Sequence, residues 1–498
     1  MTGVFLRDLL VDAPWDDPIG YAQRYYLQYP ALGLLAWPPL FYVVEGLTMG
    51  LFGPSFLTGQ LTVAGFALIA IVFILRWARI TWRNDRIAVL GAVLFGLTPI
   101  GFRYARHVML EMPCLAFAFA ALFYFERYLV DARRGDPLRV GLFSAWAALT
   151  RFDALFLLPY FACRLLTERR LGELRRPAVL LGIGMALAIT APYYVWTWQH
   201  YGASLLHAAQ MGTMPTSRSF DAARNLIFYP SRIPRQVDWP IALAALLGCW
   251  RWRYWPGHSA ACLSLALAVY LTFSPMAELE DRHVIYWIPA LTTWAAATAE
   301  SLPGTWRQLG YALLLVGTGI SRTWDFPSVV HGYAEAAQRV LAQPLEAHVV
   351  FFDGAMSGGF IYQVRCHDPQ RRVTVLRGDK LVYGMRSDPS GGYVEWTPTS
   401  DDIRALLYRY DPDWIVIESP QAIFPELTGP KRLRQTLREH PDRYDHVAEL
   451  DVPLRGTHPE FQGVRLEFYR PRRRNPNRER LREIPMLSLG RPLRLPAD

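Results

Sequence analysis

The chain has 498 residues, 52% of them hydrophobic, and carries 52 Lys and Arg against 43 Asp and Glu, a formal charge of +9. Its length accommodates more than one folding unit, and its positive mean hydropathy argues against an ordinary soluble globule. Five cysteines, four of them inside apolar segments, exclude an even-numbered disulfide framework and show no CxxC metal spacing. The charge calls for no nucleic-acid partner, because much of it belongs to short loops between apolar segments and to a basic terminus.

Residues 1–55 precede and lead into the first clear span. The apolar run 38–53 is short for an easy crossing and starts at Pro38-Pro39, which suit a helix start or an exposed turn. It reads as a helix lying at the membrane interface. Residues 46–75 carry no charge, and a span over about 56–77 is expected there. Further apolar segments cover about 86–103, 110–130, 139–150, 153–166, 177–199, 238–250, 258–277, 283–300 and 307–322. A bilayer crossing takes about 20 apolar residues, and taken singly the shorter segments also suit buried soluble helices. Ten of them within 322 residues, flanked by Arg, Trp and Tyr that snorkel or sit at the interface, specify a polytopic α-helical membrane domain over 56–322.

The loops orient that domain. Arg76, Arg79, Arg83 and Arg86 fill one connection, Arg127, Arg133, Arg134 and Arg139 the next but one, and Arg164, Arg169, Arg170, Arg175 and Arg176 the following alternate one. Arg251, Arg253 and Arg307 continue on that side, which the positive-inside rule makes cytoplasmic. Residues 103–111, 151–153, 199–238, 278–283 and those beyond about 323 then face outward, in a bacterial-type inner or plasma membrane. The first span must run from outside to inside, yet no signal-peptide pattern precedes it. A cryptic signal, or a first transmembrane helix missing ahead of Met1, is therefore expected.

After Arg322 the texture changes. "AHVVFFDG", "RRVTVLRG", "DWIVIES" and "GVRLEFYR" read as strands, and "HGYAEAAQRVLA", "SDDIRALLYRY" and "KRLRQTLREH" as helices, with Ser400 or Asp401 as an N-cap. Alternation of the two predicts an extracytoplasmic α/β domain over 323–470. "FDGAMSGGF" lacks the spacing of a nucleotide loop and reads as a structural turn. The basic tail 471–498 reads as a disordered or lipid-facing terminus.

Polar residues collect at the outward junctions. "GFRYARHVMLEMP" holds Arg103, Arg106, His107 and Glu111, "LTRFDAL" holds Arg151 and Asp153, and "SPMAELEDRHVIYWIPAL" holds Glu278, Glu280, Asp281, Arg282 and His283. If a helix starts near His107, His107 and Glu111 lie four apart on one face. A single such residue reads equally well as an anchor in the headgroups, with Arg103 or Arg106 neutralising Glu111. Recurrence on one side favours function, since ionisable groups at membrane depth are costly. A lipid phosphate reached by arginine forks fits them, with carboxylates serving as general base or holding a divalent cation.

The order "YPALGLLAWPPLFYVVEGLTMGLFG", "TPIGFRYARHVMLEMPCLAFAFAALFYF", "LTRFDALFLLPY", "RHVIYWIPAL" resembles the dolichyl-phosphate-mannose protein mannosyltransferase and aminoarabinose transferase superfamily, glycosyltransferases of the GT-C fold, over about residues 20–300. The resemblance implies transfer of a sugar from a polyprenyl-phosphate donor to a protein, lipid or glycan acceptor at the outer face. It places Pro38 and Pro39 on a juxtamembrane helix, matches Glu111 to the family's acidic residue after an arginine, Arg151 to a basic residue in an LTK-like turn, and Arg282 to the arginine of an RY-like motif, with His283 where the family carries Tyr. Family members also carry an Asp-Glu pair in the first outer loop. Asp8, Asp12, Asp16 and Asp17 are present, but none is followed by Glu, so the pair is expected upstream of Met1, leaving this polypeptide truncated and inactive, or Asp16 or Asp17 takes its place. On this reading a carboxylate activates the acceptor, Arg103, Arg106, Arg151, Arg282 and His283 bind the phosphate or substrate, and the anomeric centre inverts. Glu111 would orient the base or a metal, with His107 as a further ligand, and the family is mixed in its use of divalent metal. Two rival classes are a secondary transporter, whose repeats with broken helices the two halves lack, and a non-catalytic envelope protein that binds or assembles glycans.

Overall fold

The computed structural model describes residues 1–33, 37–201, 222–251, 256–276, 279–324, 329–342, 348–385, 393–423, 425–455, 461–486 and 492–495. The chain divides into two compact units, one of Leu34–Thr48 with Phe56–Phe326 and the other of Met1–Gly33, Met49–Ser55 and Pro327–Asp498.

The first unit is helical. Three of its described helices are long and apolar enough to cross a membrane: Phe56–Trp82, Glu111–Asp131 and Pro177–Gln199. The others are shorter, interrupted or less apolar. Asp85–Leu97 is followed at Thr98 by Pro99–Tyr104, the five-residue 3-10 turn Phe152–Phe156 precedes Leu157–Thr167, and the 3-10 turn Asp281–Trp287 precedes Ile288–Glu300. Glu111–Asp131 is the most buried of these three, with Ala116, Ala118, Ala120 and Ala121 wholly buried; such small side chains let neighbouring helices approach closely. Pro177–Gln199 is the opposite case, with only 6% of its apolar window buried. In a lipid solvent that exposure carries no hydrophobic penalty. Asp136–Ala148 crosses it through two glycines: a Cβ on Gly141 would lie 2.1 Å from the Gly182 carbonyl oxygen, so neither helix accepts a side chain at the crossing.

The second unit is built on a five-stranded sheet of β1 (His348–Asp353), β2 (Val373–Arg377), β3 (Trp414–Ser419), β4 (Tyr444–Asp451) and β5 (Arg465–Pro471). Its order is β2-β1-β3-β5-β4, parallel among the first three strands and antiparallel at β5 and β4. The four strands and three helices expected here all form. The cap of the Ser400–Tyr410 helix is Thr399, whose side chain and that of Asp402 close a capping box. The glycine-rich stretch after β1 leads into the helix Ser357–His367. The tail differs from expectation over its described residues: Arg474 pairs with Asp411 at 2.9 Å and Asp413 at 2.7 Å, and Glu483–Ile484 pairs with Leu493–Arg494. Three of its arginines, Arg472, Arg474 and Arg478, are held by carboxylates of the domain, which a reading of charge density alone does not reveal.

Residues 1–33 also belong to this unit. The helix Thr2–Asp12 puts Asp8 against Arg365, Nη2 to Oδ2 at 2.6 Å, both side chains 4% exposed, while Tyr25 donates to the same carboxylate oxygen at 2.7 Å. Gln28 donates to the carbonyls of Arg371 and Val373, and Arg377 donates to that of Pro30.

Asp353 and Glu418 lie buried at the carboxyl ends of the neighbouring parallel strands β1 and β3. Burial pushes the Asp353 carboxyl up to about 6 and raises Glu418 as well. Tyr383 donates to Asp353 Oδ1 at 3.0 Å, and Oδ2 has no hydrogen-bond partner among the described residues. A carboxyl raised above its unfolded value binds its proton more tightly in the native state, so its contribution to stability falls as pH rises through the interval from about 4 to about 6. Asp353→Asn should therefore melt above the wild type at pH 7, with the difference vanishing towards pH 4. Thermal melting at a series of pH values checks this, and a pH-independent difference would contradict it.

Candidate functional site

Three junctions of the helical unit converge on Arg151. The helix Asp136–Ala148 ends in a turn where Arg151 N–H donates to Ala147 O at 2.9 Å, after which Arg151 adopts an extended backbone ahead of Phe152–Phe156. Its side chain points inward and is 2% exposed. Nη1 donates to Glu111 Oε1 at 2.7 Å, Nε donates to Asp153 Oδ2 at 2.8 Å, and Nη2 closes a second short contact on Asp153. The guanidinium is covered by the Trp37 ring, 4.8 Å away, and Trp37 stacks in turn on Phe152 with centroids 5.0 Å apart and planes 6° off parallel. Two hydrogen bonds hold this lid: Tyr193 donates to Trp37 O at 3.2 Å, and Leu40 N–H donates to Leu149 O at 3.0 Å.

Glu111 is the first residue of its helix, with Leu110 as N-cap, where the amide dipoles favour a carboxylate. Its carboxylate is 1% exposed. Oε1 faces Arg151 and lies 4.0 Å from Arg282 Nε, whereas Oε2 has no hydrogen-bond partner among the described residues. Arg282 is 23% exposed and also engages Glu280, its Nη2 donating to Oε1 at 3.0 Å. His283 is buried and stacks on Phe273, centroids 5.8 Å apart, and its Nδ1 has no partner among the described residues. Tyr104 lies within electrostatic reach of Glu111, Arg282, Arg103 and Glu280. Glu278 falls outside the described residues.

The remaining candidates take different places. Arg103 and Arg106 are exposed at the same junction as Glu111, Arg103 in the last turn of Pro99–Tyr104 and Arg106 over the Phe102 ring at 5.0 Å. His107 does not share a helix with Glu111: Arg106 N–H bonds to Arg103 O and Met109 N–H to His107 O, so the chain turns through 105–110 and the helix begins only at Glu111. The His107 ring instead engages its own turn, Nδ1 to Arg103 O at 2.8 Å. Among the described residues no group of three or more His, Cys, Asp or Glu is placed to hold a metal ion. Glu111 Oε1 faces Arg151 and His107 Nδ1 faces a carbonyl oxygen, so the two do not form the helical pair expected of them. Asp16 and Asp17 belong to the other unit. Asp17 caps the helix Pro18–Gln28 by accepting from Gly20 N–H at 2.9 Å and pairs with Arg24 at 3.1 Å, while Asp16 is exposed.

Arg151, expected from sequence among the phosphate ligands, thus presents a guanidinium already bonded on both edges and covered on one face. Its partners were not legible: Glu111 lies 40 residues earlier, and neither Trp37 nor Asp153 carries a spacing that announces the contact. A buried bridge of this kind is sensitive to loss of one member, which leaves an uncompensated charge. Arg151→Met should lower stability by about 3–5 kcal/mol, whereas Arg106→Met, at an exposed position, should leave it nearly unchanged. Thermal melting of the detergent-solubilised protein compares them; equal melting temperatures would remove Arg151 from the structural role.

A family model described as dolichyl-phosphate-mannose-protein mannosyltransferase matches residues 36–196, a segment that contains Trp37, Glu111, Arg151 and Asp153 and stops before Arg282. The crystal structure of ArnT from Cupriavidus metallidurans in the apo state is similar to this chain with a TM-score of 0.60 and 14% identity, covering 94% of this chain and 92% of that one. The ArnT structure bound to undecaprenyl phosphate is similar with a TM-score of 0.58 and 15% identity, covering 87% and 88%. No curated protein matches the sequence. The fold is that of a GT-C membrane protein, polytopic and α-helical, with a C-terminal α/β domain.

Proposed function

We propose that this GT-C-fold chain is a glycosyltransferase that moves a sugar from a polyprenyl-phosphate donor to an extracytoplasmic acceptor, a protein, lipid or glycan, with inversion. The observation that carries this reading is the Glu111 carboxylate: Oε1 lies between Arg151 and Arg282, Oε2 has no hydrogen-bond partner among the described residues, and Arg103 and Arg106 stand exposed at the same junction. Similarity of fold to an ArnT structure bound to undecaprenyl phosphate supports a polyprenyl phosphate as the carrier, and the mannosyltransferase family model supports sugar transfer.

The reaction is a single displacement. The acceptor hydroxyl or amine attacks the anomeric carbon, the bond from that carbon to the phosphate oxygen breaks, and the phosphate leaves with the electron pair. Glu111 Oε2 receives the hydrogen bond, and then the proton, of the attacking group. Arg282, assisted by Arg103 and Arg106, stabilises the negative charge that grows on the phosphate; this acts on rate because the charge is larger in the transition state than in the bound donor. Arg151 holds Glu111 in place and touches no substrate. His283, packed on Phe273 beside Arg282, keeps that arginine's turn in register. Asp17, which caps its own helix, has no part in the step.

Glu111→Gln and Arg282→Lys separate this chemistry from simple anchoring. Gln keeps the size and removes the proton acceptor, and Lys keeps the charge and loses the planar donor fork. Transfer of labelled sugar from a polyprenyl-phosphate donor, per folded molecule, should fall about ten- to a hundredfold in each, the loss of roughly 1.5–3 kcal/mol per charged contact. Near-normal specific activity in both would sink the assignment.

The arginine-rich loops make a second, topological expectation. With accessible native cysteines removed, Ser231→Cys and Asp442→Cys should react with a membrane-impermeant thiol reagent on intact cells, and Arg134→Cys should not. Labelling of Arg134→Cys alone would invert the orientation.

A further inference from the structure

The Ser400–Tyr410 helix, the start of β4 and the chain leaving β5 enclose a cavity of about 490 Å³, within the roughly 300–1,000 Å³ usual for small-molecule sites. We propose that this cavity binds an anionic saccharide, a sugar bearing a phosphate or a carboxylate. The site lies wholly in the α/β unit and does not depend on the transfer reaction.

Four arginines, Arg404, Arg443, Arg473 and Arg474, line it together with Tyr408 and Tyr444. Their convergence is built into the local structure. Arg404 and Tyr408 are four apart and share one face of the helix, while Tyr444 is paired in register with Pro471, and Arg472 N–H donates to Arg443 O at 2.7 Å. Those bonds fix the two strand ends from which Arg443, Arg473 and Arg474 project.

Ion pairing within the domain explains only part of this arrangement. Arg474 is held by Asp411 and Asp413, which orients its fork. Arg473 has no ion pair among the described residues. Arg443 has its carboxylate partner, Asp442, at 3.9 Å, beyond hydrogen-bond reach. Arg404 pairs with Asp401, whose side chain is 78% exposed, and Arg404 Nε is buried with no hydrogen-bond partner among the described residues. Exposed pairs of this sort contribute little and yield readily to a ligand. What is left is a set of planar donors suited to two-oxygen recognition of phosphate or carboxylate. Tyr408, 52% exposed, adds an aromatic face, the surface on which the C–H face of a sugar packs. A bare inorganic anion has no use for it, and a neutral sugar has none for the arginines.

The test titrates the full chain in detergent with glucose 6-phosphate, glucuronate and glucose by calorimetry. The two anionic sugars should bind at least about tenfold more tightly than glucose, and their affinity should fall with salt. Arg404→Gln and Arg473→Gln should each weaken binding about tenfold or more. Arg472→Gln, whose partner Asp445 lies outside the cavity, should leave it unchanged. Melting curves report on folding; should Arg404→Gln melt early, Arg473→Gln, at an exposed position, carries the test. Competition by nanodiscs containing phosphatidylinositol 4-phosphate would identify a lipid headgroup as the source of the anionic sugar, and absence of competition a soluble or polymer-borne one, the site standing in either case. Failure of wild type to bind either anionic sugar, equal affinity for glucose and glucose 6-phosphate, or wild-type affinity in both Arg404→Gln and Arg473→Gln would overturn it.

Discussion

A guanidinium that is almost wholly buried in a membrane helix bundle has to bring its counter-charges with it. Arg151 does so with Glu111 on one edge and Asp153 on the other, and Arg282, 4.0 Å from Glu111 and itself paired with Glu280, supplies a second guanidinium. The members sit on three pieces of the unit: Glu111 on the first turn of a central helix, Arg151 and Asp153 in the stretch after Asp136–Ala148, and Arg282 in the 3-10 turn before Ile288–Glu300. The electrostatics that make burial tolerable therefore also fix the mutual positions of three helix ends. Helix packing and site geometry are two descriptions of one interaction. Trp37 ties in a fourth element, since its ring covers one face of Arg151 and its own carbonyl accepts from Tyr193.

The α/β unit solves a different problem. It has water available, so its surface charges pair loosely while its interior keeps a few carboxyls in demanding places, above all Asp353 and Glu418 beside each other at the ends of parallel strands. Tyr333 donates to Glu418 at 2.9 Å and the Ala355 amide donates to the same carboxylate at 2.8 Å, so the glycine-rich turn after β1 is held by the neighbouring strand. That turn is a structural element of the sheet, as its spacing indicates.

Legibility followed physical range. Helices, strands and the gathering of charge at helix junctions were readable because apolar periodicity, β-branched runs and charges at the ends of apolar segments are local signals. The cap at Thr399 was missed by one residue, since Ser400, Asp401 and Thr399 all suit the role and only the backbone decides. His107 and Glu111 look like neighbours at helical spacing, yet the turns at Arg106 and Met109 delay the helix to Glu111. Glu111 and Arg151 give no sign of each other in the sequence, because a partner 40 residues away is chosen by tertiary packing. For the same reason the basic tail looked free: its counter-ions, Asp411 and Asp413, precede it by some 60 residues.

Asp8 bonds to Arg365 of the helix Ser357–His367, Asp12 to Arg371 and Gln28 to the start of β2, all in a domain whose sheet begins only at His348. During synthesis the first 33 residues emerge long before their partners exist, and the whole helical unit must be laid into the bilayer in the interval. Until Arg365 arrives, Asp8 has only Arg7, Tyr25 and water for partners. Closing a loop of some three hundred residues costs entropy that grows only slowly with length, but it makes the contact order of this unit high and its assembly late and slow. Order of translation thus becomes a folding constraint: the opening residues of the chain are among the last to find their place, and a cell making this protein has to keep them soluble and unpaired through the insertion of everything between.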